Sequence, residues 1–156
     1  MSPSNRPRRG WPVVVCAALA LLLGARTAPA GTYTWNMTTG GDWNTAVDWN
    51  PGTGAPVTAG DVAVFGNTVT GTANVTFSGP AAVGQIQFTG LTGTAAYTIG
   101  TGSATFSLDN GGGPVIISTA AGMTTSGTQT VQDGISVAGS ALLQADINSG
   151  TVKLAG

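Results

Sequence analysis

The chain has 156 residues, of which 7% are charged and 6% aromatic, with one cysteine and no histidine. Zinc sites built from cysteine and histidine, and catalytic triads that use histidine, are therefore excluded by the residue inventory. Nucleic acids and anionic membranes bind clusters of Lys and Arg. Beyond residue 30 the chain has one basic residue, Lys153, and six aspartates, which gives this part a net charge of −5. Binding to nucleic acid or to an anionic membrane surface is therefore excluded.

Residues 1–30 have the layout of a secretory signal peptide. Three arginines near the start are followed by an apolar run at 13–25, and "APA" at 28–30 supplies small residues for cleavage before Gly31. The run is shorter than the roughly 20 apolar residues of a membrane helix. We therefore predict an exported protein, without membrane insertion once the leader is removed.

Residues 31–61 are predicted to form an N-terminal capping segment. It contains three of the four tryptophans, Trp35, Trp43 and Trp49, in "TWNMTTGGDWNTAVDWN". Buried indoles supply large apolar area, whereas exposed coplanar indoles can stack on sugar rings. The even spacing of the three indoles puts them on one face of a straight strand, but Gly40 and Gly41 interrupt such a strand. Packing as a plug is therefore favoured, with glycan stacking by the three indoles as the alternative.

Three aspartates, Asp42, Asp48 and Asp61, lie in the same segment. Paired carboxylates can hydrolyse glycosides, and carboxylate oxygens can bind calcium. Their spacing matches no calcium loop, and aspartate is a common turn residue. We therefore predict turn and solubility roles, with no catalytic residue, no metal site and no cofactor. The alternative is a carbohydrate-binding or polysaccharide-degrading β-helix protein.

Beyond residue 61 the sequence repeats a short triplet with apolar ends and a polar centre. The triplets are "VTF" (75–77), "IQF" (86–88), "YTI" (97–99), "FSL" (106–108), "ISV" (135–137) and "VKL" (152–154). Side chains alternate between the two faces of a strand. The side chains expected to line an interior are therefore Phe77, Phe88, Ile99 and Leu108. Those expected to face water are Thr76, Gln87, Thr98, Ser107, Ser136 and Lys153.

The segments between the triplets are predicted to be turns because they are rich in glycine, asparagine and aspartate. They lie at 66–71, 78–84, 89–93, 100–103 and 109–114. Short strands at this spacing predict an all-β fold. Triplets this short fill a sandwich core poorly but suit coils that stack on one another. We therefore predict a parallel β-solenoid, with a β-sandwich as the alternative.

The predicted solenoid has two triplets per coil and coils of about 20–24 residues. Its repeats are assigned to residues 62–156, with "DVAVF" (61–65) as the first firm strand. Repeat arrays end in an atypical unit with a polar outer face, and none is visible at 142–156. We therefore expect further repeats in a longer chain.

The stretch "YTWNMTTGGDWNTAVDWNPGTGAPVTAGDVAVFGN" (33–67) resembles the start of secreted bacterial proteins with autotransporter-associated β-strand repeats. The matching residues are Trp35, Gly41, Trp43, Trp49, Pro56, Gly60, Asp61, Ala63 and Phe65. The stretch "SGTVKLAG" (149–156) resembles the "G-G-T-L-x-L-x-G" strand of the same repeats, with Ser149 in place of the first glycine. The resemblance implies a right-handed parallel solenoid, export and a surface or extracellular role, and it supplies no catalytic residues. We therefore predict a non-catalytic, structural or adhesive surface module, secreted or at the bacterial cell surface in association with the outer membrane. A surface polysaccharide or another cell-surface component is the expected partner.

Overall fold

The computed structural model describes residues 30–101, 105–132, 135–138 and 143–155. The predicted signal peptide falls almost entirely outside these residues. The described chain is all-β, apart from one turn of 3₁₀ helix at Ala46–Asp48. The strands are β1 (Thr32–Trp35), β2 (Gly41–Asp42), β3 (Trp49–Asn50), β4 (Val62–Phe65), β5 (Thr72–Thr76), β6 (Ala81–Val83), β7 (Gln85–Phe88), β8 (Ala96–Thr101), β9 (Phe106–Leu108), β10 (Val115–Thr119), β11 (Thr128–Val131), β12 (Ile135–Val137), β13 (Leu143–Ile147) and β14 (Thr151–Leu154).

The described strands form three sheets. The first has the order β13-β10-β7-β4-β1-β3, the second β14-β11-β8-β5-β2, and the third β12-β9-β6. Every ladder is parallel except the pairing of β1 with β3, which is antiparallel. The chain therefore visits the sheets in turn, and from β4 onward each strand pairs with the strand three places later.

The register gives the length of one such cycle. Val62 pairs with Gln85, 23 residues later, whereas Gln85 pairs with Ile116, 31 residues later. The prediction of two triplets per cycle is wrong, because three strands are used. The missed strand is β6, whose sequence "AAV" falls in the segment 78–84 that was predicted to be a turn. Its alanines give a weak apolar signal, although Ala81 and Val83 are buried.

The alternation of side chains is confirmed in the four triplets between residues 75 and 108, but not in "ISV" (135–137) and "VKL" (152–154), where Val137 and Leu154 are exposed. Phe77, Phe88, Ile99 and Leu108 are all buried. Of the triplet centres, some are exposed and the others half-buried: Thr76, Ser136 and Lys153 in the first group, Gln87, Thr98 and Ser107 in the second. The turn predicted at 109–114 is also confirmed, since Gly111 and Gly112 adopt positive φ of 59° and 93°. Glycine reaches that region without a Cβ clash.

The sheets begin earlier than predicted. Strand β4 matches the expected first firm strand, but β1 already pairs with β4, and β2 already pairs with β5. The segment 31–61 therefore contributes strands to two of the sheets. Within it, β3 turns back to lie antiparallel against β1, with Trp35 opposite Trp49.

At the other end of the sheets, apolar side chains are exposed at positions that are buried in earlier strands. In the second sheet Val75, Ile99 and Val131 are fully buried, whereas Leu154, which continues the same row, is 45% exposed. Val137 in the third sheet and Ile147 in the first behave in the same way. Among the described residues, β12, β13 and β14 have no later strand beside them.

Candidate functional site

The three tryptophans come together at the N-terminal end of the sheets, although each belongs to a different element. Trp35 ends β1, Trp43 follows β2 directly, and Trp49 begins β3. Their exposed fractions are 0%, 0% and 1%. The ring centroids of Trp35 and Trp49 lie 5.0 Å apart at an interplanar angle of 81°, and those of Trp43 and Trp49 lie 4.9 Å apart at 70°. These are edge-to-face contacts, the arrangement favoured by aromatic quadrupoles.

The indoles continue into a column of rings that runs through the core. Trp43 contacts Phe77 and Phe106, both with centroids 5.2 Å away. The ring of Phe65 contacts all three indoles, and its centroid lies 5.7 Å from that of Phe88 and 4.9 Å from that of Tyr97. All four phenylalanines of the chain thus belong to one aromatic cluster. The tryptophans are the end of this cluster that lies nearest β3.

Two of the three indole N–H groups have buried acceptors. Trp43 Nε1 donates to the Pro56 carbonyl at 2.6 Å, and Trp49 Nε1 donates to the Trp43 carbonyl at 2.7 Å. Within the described residues, Trp35 Nε1 is the one buried side-chain nitrogen or oxygen that lacks a hydrogen-bond partner. The first bond joins the aromatic cluster to the loop at Pro56, and the second joins Trp49 to the backbone of Trp43.

This geometry bears on the two roles considered for the indoles. A ring that stacks on a sugar must present a face to solvent, and none of the three does. Gly41 permits the packing, since a Cβ there would lie 3.0 Å from the Trp35 ring and 2.6 Å from Asp48 Oδ2. The structure therefore buries Trp35, Trp43 and Trp49 in one aromatic cluster, and none of these three indoles offers an exposed ring to a glycan.

Two of the three aspartates of this segment share one turn, and each accepts backbone N–H groups. Asp48 is buried, and its Oδ2 accepts the N–H of Asp42 at 3.0 Å. Asp42 Oδ1 accepts the N–H groups of Asn44 at 2.8 Å and of Ser78 at 3.3 Å. Burial disfavours the charged form of Asp42, but the hydrogen bonds from Ser78 and Asn44 outweigh it and lower the pKa of this carboxyl.

Asp61 lies apart from that turn and is only 3% exposed. Its Oδ1 accepts the N–H of Gly31 at 2.8 Å, and its Oδ2 accepts those of Val57 at 3.2 Å and Thr58 at 3.0 Å. Asp109 similarly accepts the N–H of Gly111 in the turn that follows β9. Carboxylates of this chain thus hold turns in place. Within the described ranges, no group of three or more His, Cys, Asp or Glu side chains is placed to hold a metal ion.

One buried polar residue that we did not single out from the sequence joins two strands of the second sheet. Gln129 is fully buried; its Oε1 accepts the N–H of Tyr97 at 2.8 Å, and its Nε2 donates to the carbonyls of Ala95 and Gly127. The signal was present, because Gln129 has the same parity along β11 as the buried Val131. Polar side chains buried in this way need such partners.

The phenol of Tyr97 is a second polar group held inside. Its hydroxyl donates to the Gly66 carbonyl at 2.9 Å and lies 3.0 Å from Thr68 Oγ1, which itself donates to the Met37 carbonyl. Burial raises the pKa of Tyr97, only partly offset by the Thr68 hydrogen bond. These contacts link the turn after β4 to the segment between β1 and β2.

The described part of the chain contains no helix long and apolar enough to cross a bilayer. Comparisons with protein-family models, with curated proteins and with solved structures each found no match.

Proposed function

We propose that this chain is an exported, non-catalytic structural or adhesive surface module, and that its three sheets are the walls of a right-handed parallel β-solenoid. The observation that carries the proposal is the cyclic strand order. From β4 onward, each strand pairs in parallel with the strand three places later. A chain that winds forward through three walls produces this order.

The same ladders argue against the sandwich alternative. Sandwich sheets are built from antiparallel strands joined by hairpins and Greek-key connections. Among the described strands, the one antiparallel pair is β1 with β3, at one end of the first sheet. Parallel neighbours need a crossover connection, and in this chain the strands of the other two sheets supply it.

A structural role is supported by how the polar groups are used. The carboxylates of Asp48 and Asp61 are buried and accept backbone N–H groups, as does Gln129 Oε1. A hydrolase of the two-carboxylate kind needs carboxylates that face a substrate cleft. On the outside, β5 presents exposed Thr72, Asn74 and Thr76. Such a face suits solubility and contact with a surface polysaccharide or another cell-surface component.

We further propose that additional repeats pack on the end formed by β12, β13 and β14. The exposed Val137, Ile147 and Leu154 occupy rows whose earlier members are buried under a following strand. An apolar groove of about 130 Å³ lies at the same end and is lined by Ile117, Ala145, Ile147, Val152 and Leu154. Strands with the same apolar-polar-apolar pattern fit these rows, as expected for an array of repeats.

Engineered cysteine pairs test the strand order, since residues 31–156 contain no cysteine. Asn74 pairs with Thr98, and Thr98 pairs with Thr130. Neighbouring strands lie about 4.8 Å apart, so the double variants N74C/T98C and T98C/T130C should cross-link with a short bifunctional reagent. The control N74C/T130C places the thiols two strands apart and should not. Cross-linking of the control, with failure of the two neighbouring pairs, refutes the proposed walls.

Export and display are tested by expressing the chain with its own leader in a Gram-negative host. We expect a processed product in the medium or on intact cells, where added protease digests it, whereas a chain lacking residues 1–30 stays in the cytoplasm. An unprocessed, full-mass product in the cytoplasm contradicts the proposal. The purified product should release no reducing sugar from plant or bacterial polysaccharides, and measurable release would favour the enzymatic alternative.

A further inference from the structure

The backbone nitrogen of Gly31 lies against a buried carboxylate. Gly31 N is 2.8 Å from Oδ1 of Asp61, and Asp61 is only 3% exposed. Gly31 is also the residue that directly follows the predicted cleavage motif "APA" at 28–30. The residue expected to become the new N-terminus therefore lies within hydrogen-bond distance of a buried carboxylate.

We propose that cleavage after Ala30 converts Gly31 N into an α-ammonium group that forms a buried ion pair with Asp61. In this hydrolysis water adds across the Ala30–Gly31 peptide bond, the hydroxyl going to the Ala30 carbonyl carbon and the hydrogen to the Gly31 nitrogen. The new amine then takes up a proton from solvent. The catalyst is a leader peptidase of the export machinery, so the inference rests on the proposed export.

Both partners are held in place by contacts that do not involve the leader. The Gly31 carbonyl accepts the N–H of Val62 at 2.8 Å, which joins Gly31 to the ladder between β1 and β4. Asp61 Oδ2 accepts the N–H groups of Val57 and Thr58. The carboxylate is thus positioned before cleavage, and the new amine is formed within hydrogen-bond distance of it.

The absence of a side chain at residue 31 leaves room for the ring of Tyr33. A Cβ there would lie 2.6 Å from the nearest carbon of the Tyr33 ring. Real Cβ atoms do not approach other atoms so closely, so a larger residue would displace the ring or the nitrogen.

Cleavage changes the electrostatics of the pair. Before it, a neutral amide N–H faces the carboxylate, and after it a positive charge does. Opposite charges in contact favour the ionised forms, so the pKa of the α-amine should lie above its ordinary value of about 7.7–8.0. The stabilisation is then fully present below that ordinary value and is lost as the pH rises through the folded-state pKa. The other titratable groups nearby are the Tyr33 phenol and Asp109, whose carbonyl accepts the N–H of Gly60.

The test uses the exported product carrying Lys153→Arg, because Lys153 is the only lysine of the chain. The α-amine is then the only amine, and its pKa is read from the pH dependence of its reaction with a limiting acylating reagent. Intact mass gives the first residue. We expect Gly31 as that residue and, at pH 7, an α-amine that reacts about tenfold more slowly than in the urea-unfolded chain, since a close opposite charge shifts a pKa by roughly one or more.

A second measurement needs no substitution at Asp61, whose replacement by Asn would also affect the bonds to Val57 and Thr58. Fully acetylating the α-amine should lower the urea midpoint at pH 6, and this difference should shrink as the pH rises towards 10. An α-amine that titrates at its ordinary value, or an equal midpoint after acetylation, overturns the ion pair even if export succeeds. A first residue other than Gly31 overturns the assigned cleavage position.

Failure of export is distinguishable from failure of the ion pair. Every described strand lies within residues 32–154, so a chain that begins at Gly31 after removal of an N-terminal tag contains the whole described fold. The amine titration and the acetylation comparison are repeated on that chain. A normal α-amine there refutes the inference regardless of how the protein is exported in the cell.

Discussion

Replacing each buried tryptophan with phenylalanine should separate hydrogen bonding from ring packing in the aromatic cluster. The substitution keeps an aromatic ring but removes the indole N–H. Trp43 and Trp35 are both fully buried, yet Trp43 Nε1 donates to the Pro56 carbonyl whereas Trp35 Nε1 has no partner. The two variants therefore lose similar volume and differ in the fate of one polar group.

The hydrogen bonds of the two indoles determine how far the two variants should differ in their free energy of unfolding. Trp43→Phe removes this hydrogen bond and leaves the buried Pro56 carbonyl without that donor, which costs about 1–3 kcal/mol. Trp35→Phe instead removes a desolvated, unpaired donor, which offsets part of its cavity cost. We expect Trp43→Phe to lower the free energy of unfolding by about 2 kcal/mol more than Trp35→Phe does.

The assay is urea denaturation followed by the backbone signal in far-ultraviolet circular dichroism, with each variant referred to its own folded and unfolded baselines. The difference should appear as a lower midpoint at an unchanged m value. Trp49→Phe is the control for ring contacts, because Trp49 Nε1 also has an acceptor, the Trp43 carbonyl. It should group with Trp43→Phe. The reasoning is refuted if Trp35→Phe is as destabilised as the other two.

Three further outcomes follow from the described contacts. Gln129→Leu should lower the free energy of unfolding by about 3 kcal/mol, seen in the urea midpoint, because the N–H of Tyr97 loses its acceptor and the carbonyls of Ala95 and Gly127 each lose one donor; a change below about 1 kcal/mol would contradict this. Gly127→Ala should lower the free energy of unfolding by more than about 1 kcal/mol, because the new Cβ would lie 2.5 Å from the Ala95 carbonyl oxygen. The control Gly71→Ala should leave the free energy of unfolding unchanged or raise it, because no atom lies within 4 Å of a Cβ at that position. The folded-state pKa of Asp42 is lowered, so the free energy of unfolding should fall below pH 3.8 as this carboxyl becomes protonated. The folded-state pKa of Tyr97 is raised, so the free energy of unfolding should also fall above pH 10.0 as Tyr97 ionises in the unfolded chain. Asp42→Asn and Tyr97→Phe should each weaken the corresponding loss in a pH-dependent thermal melt, and unchanged acid and alkaline limbs would refute the assignments.

The strand content and the orientation of its side chains could be predicted because both are local properties. The alternation in "FSL" places Phe106 and Leu108 on one face whatever sheet the strand joins, and both are buried. The glycines of the turn at 109–114 are equally local signals. The same parity rule would also have found Gln129, since it shares a face with Val131 in β11.

The arrangement of the strands could not be predicted in this way. Triplets spaced 9–12 residues apart fit two strands per cycle as well as three, and the alanines of β6 hid the strand that decides between them. The tryptophans show the same limit. Their even spacing suggested a common face on one strand, but the structure puts Trp35, Trp43 and Trp49 on three elements that converge on Phe65.

By itself, then, the sequence determined the β class, the inward and outward faces of its triplets, and the turns rich in glycine, because these depend on backbone preferences and on the two-residue period of a strand. Only the tertiary structure decided which strands are neighbours, where the indoles meet, and that Asp61 lies against Gly31, 30 residues earlier in the chain. Those contacts depend on the angles of successive turns and on register between distant segments, which local pattern does not encode.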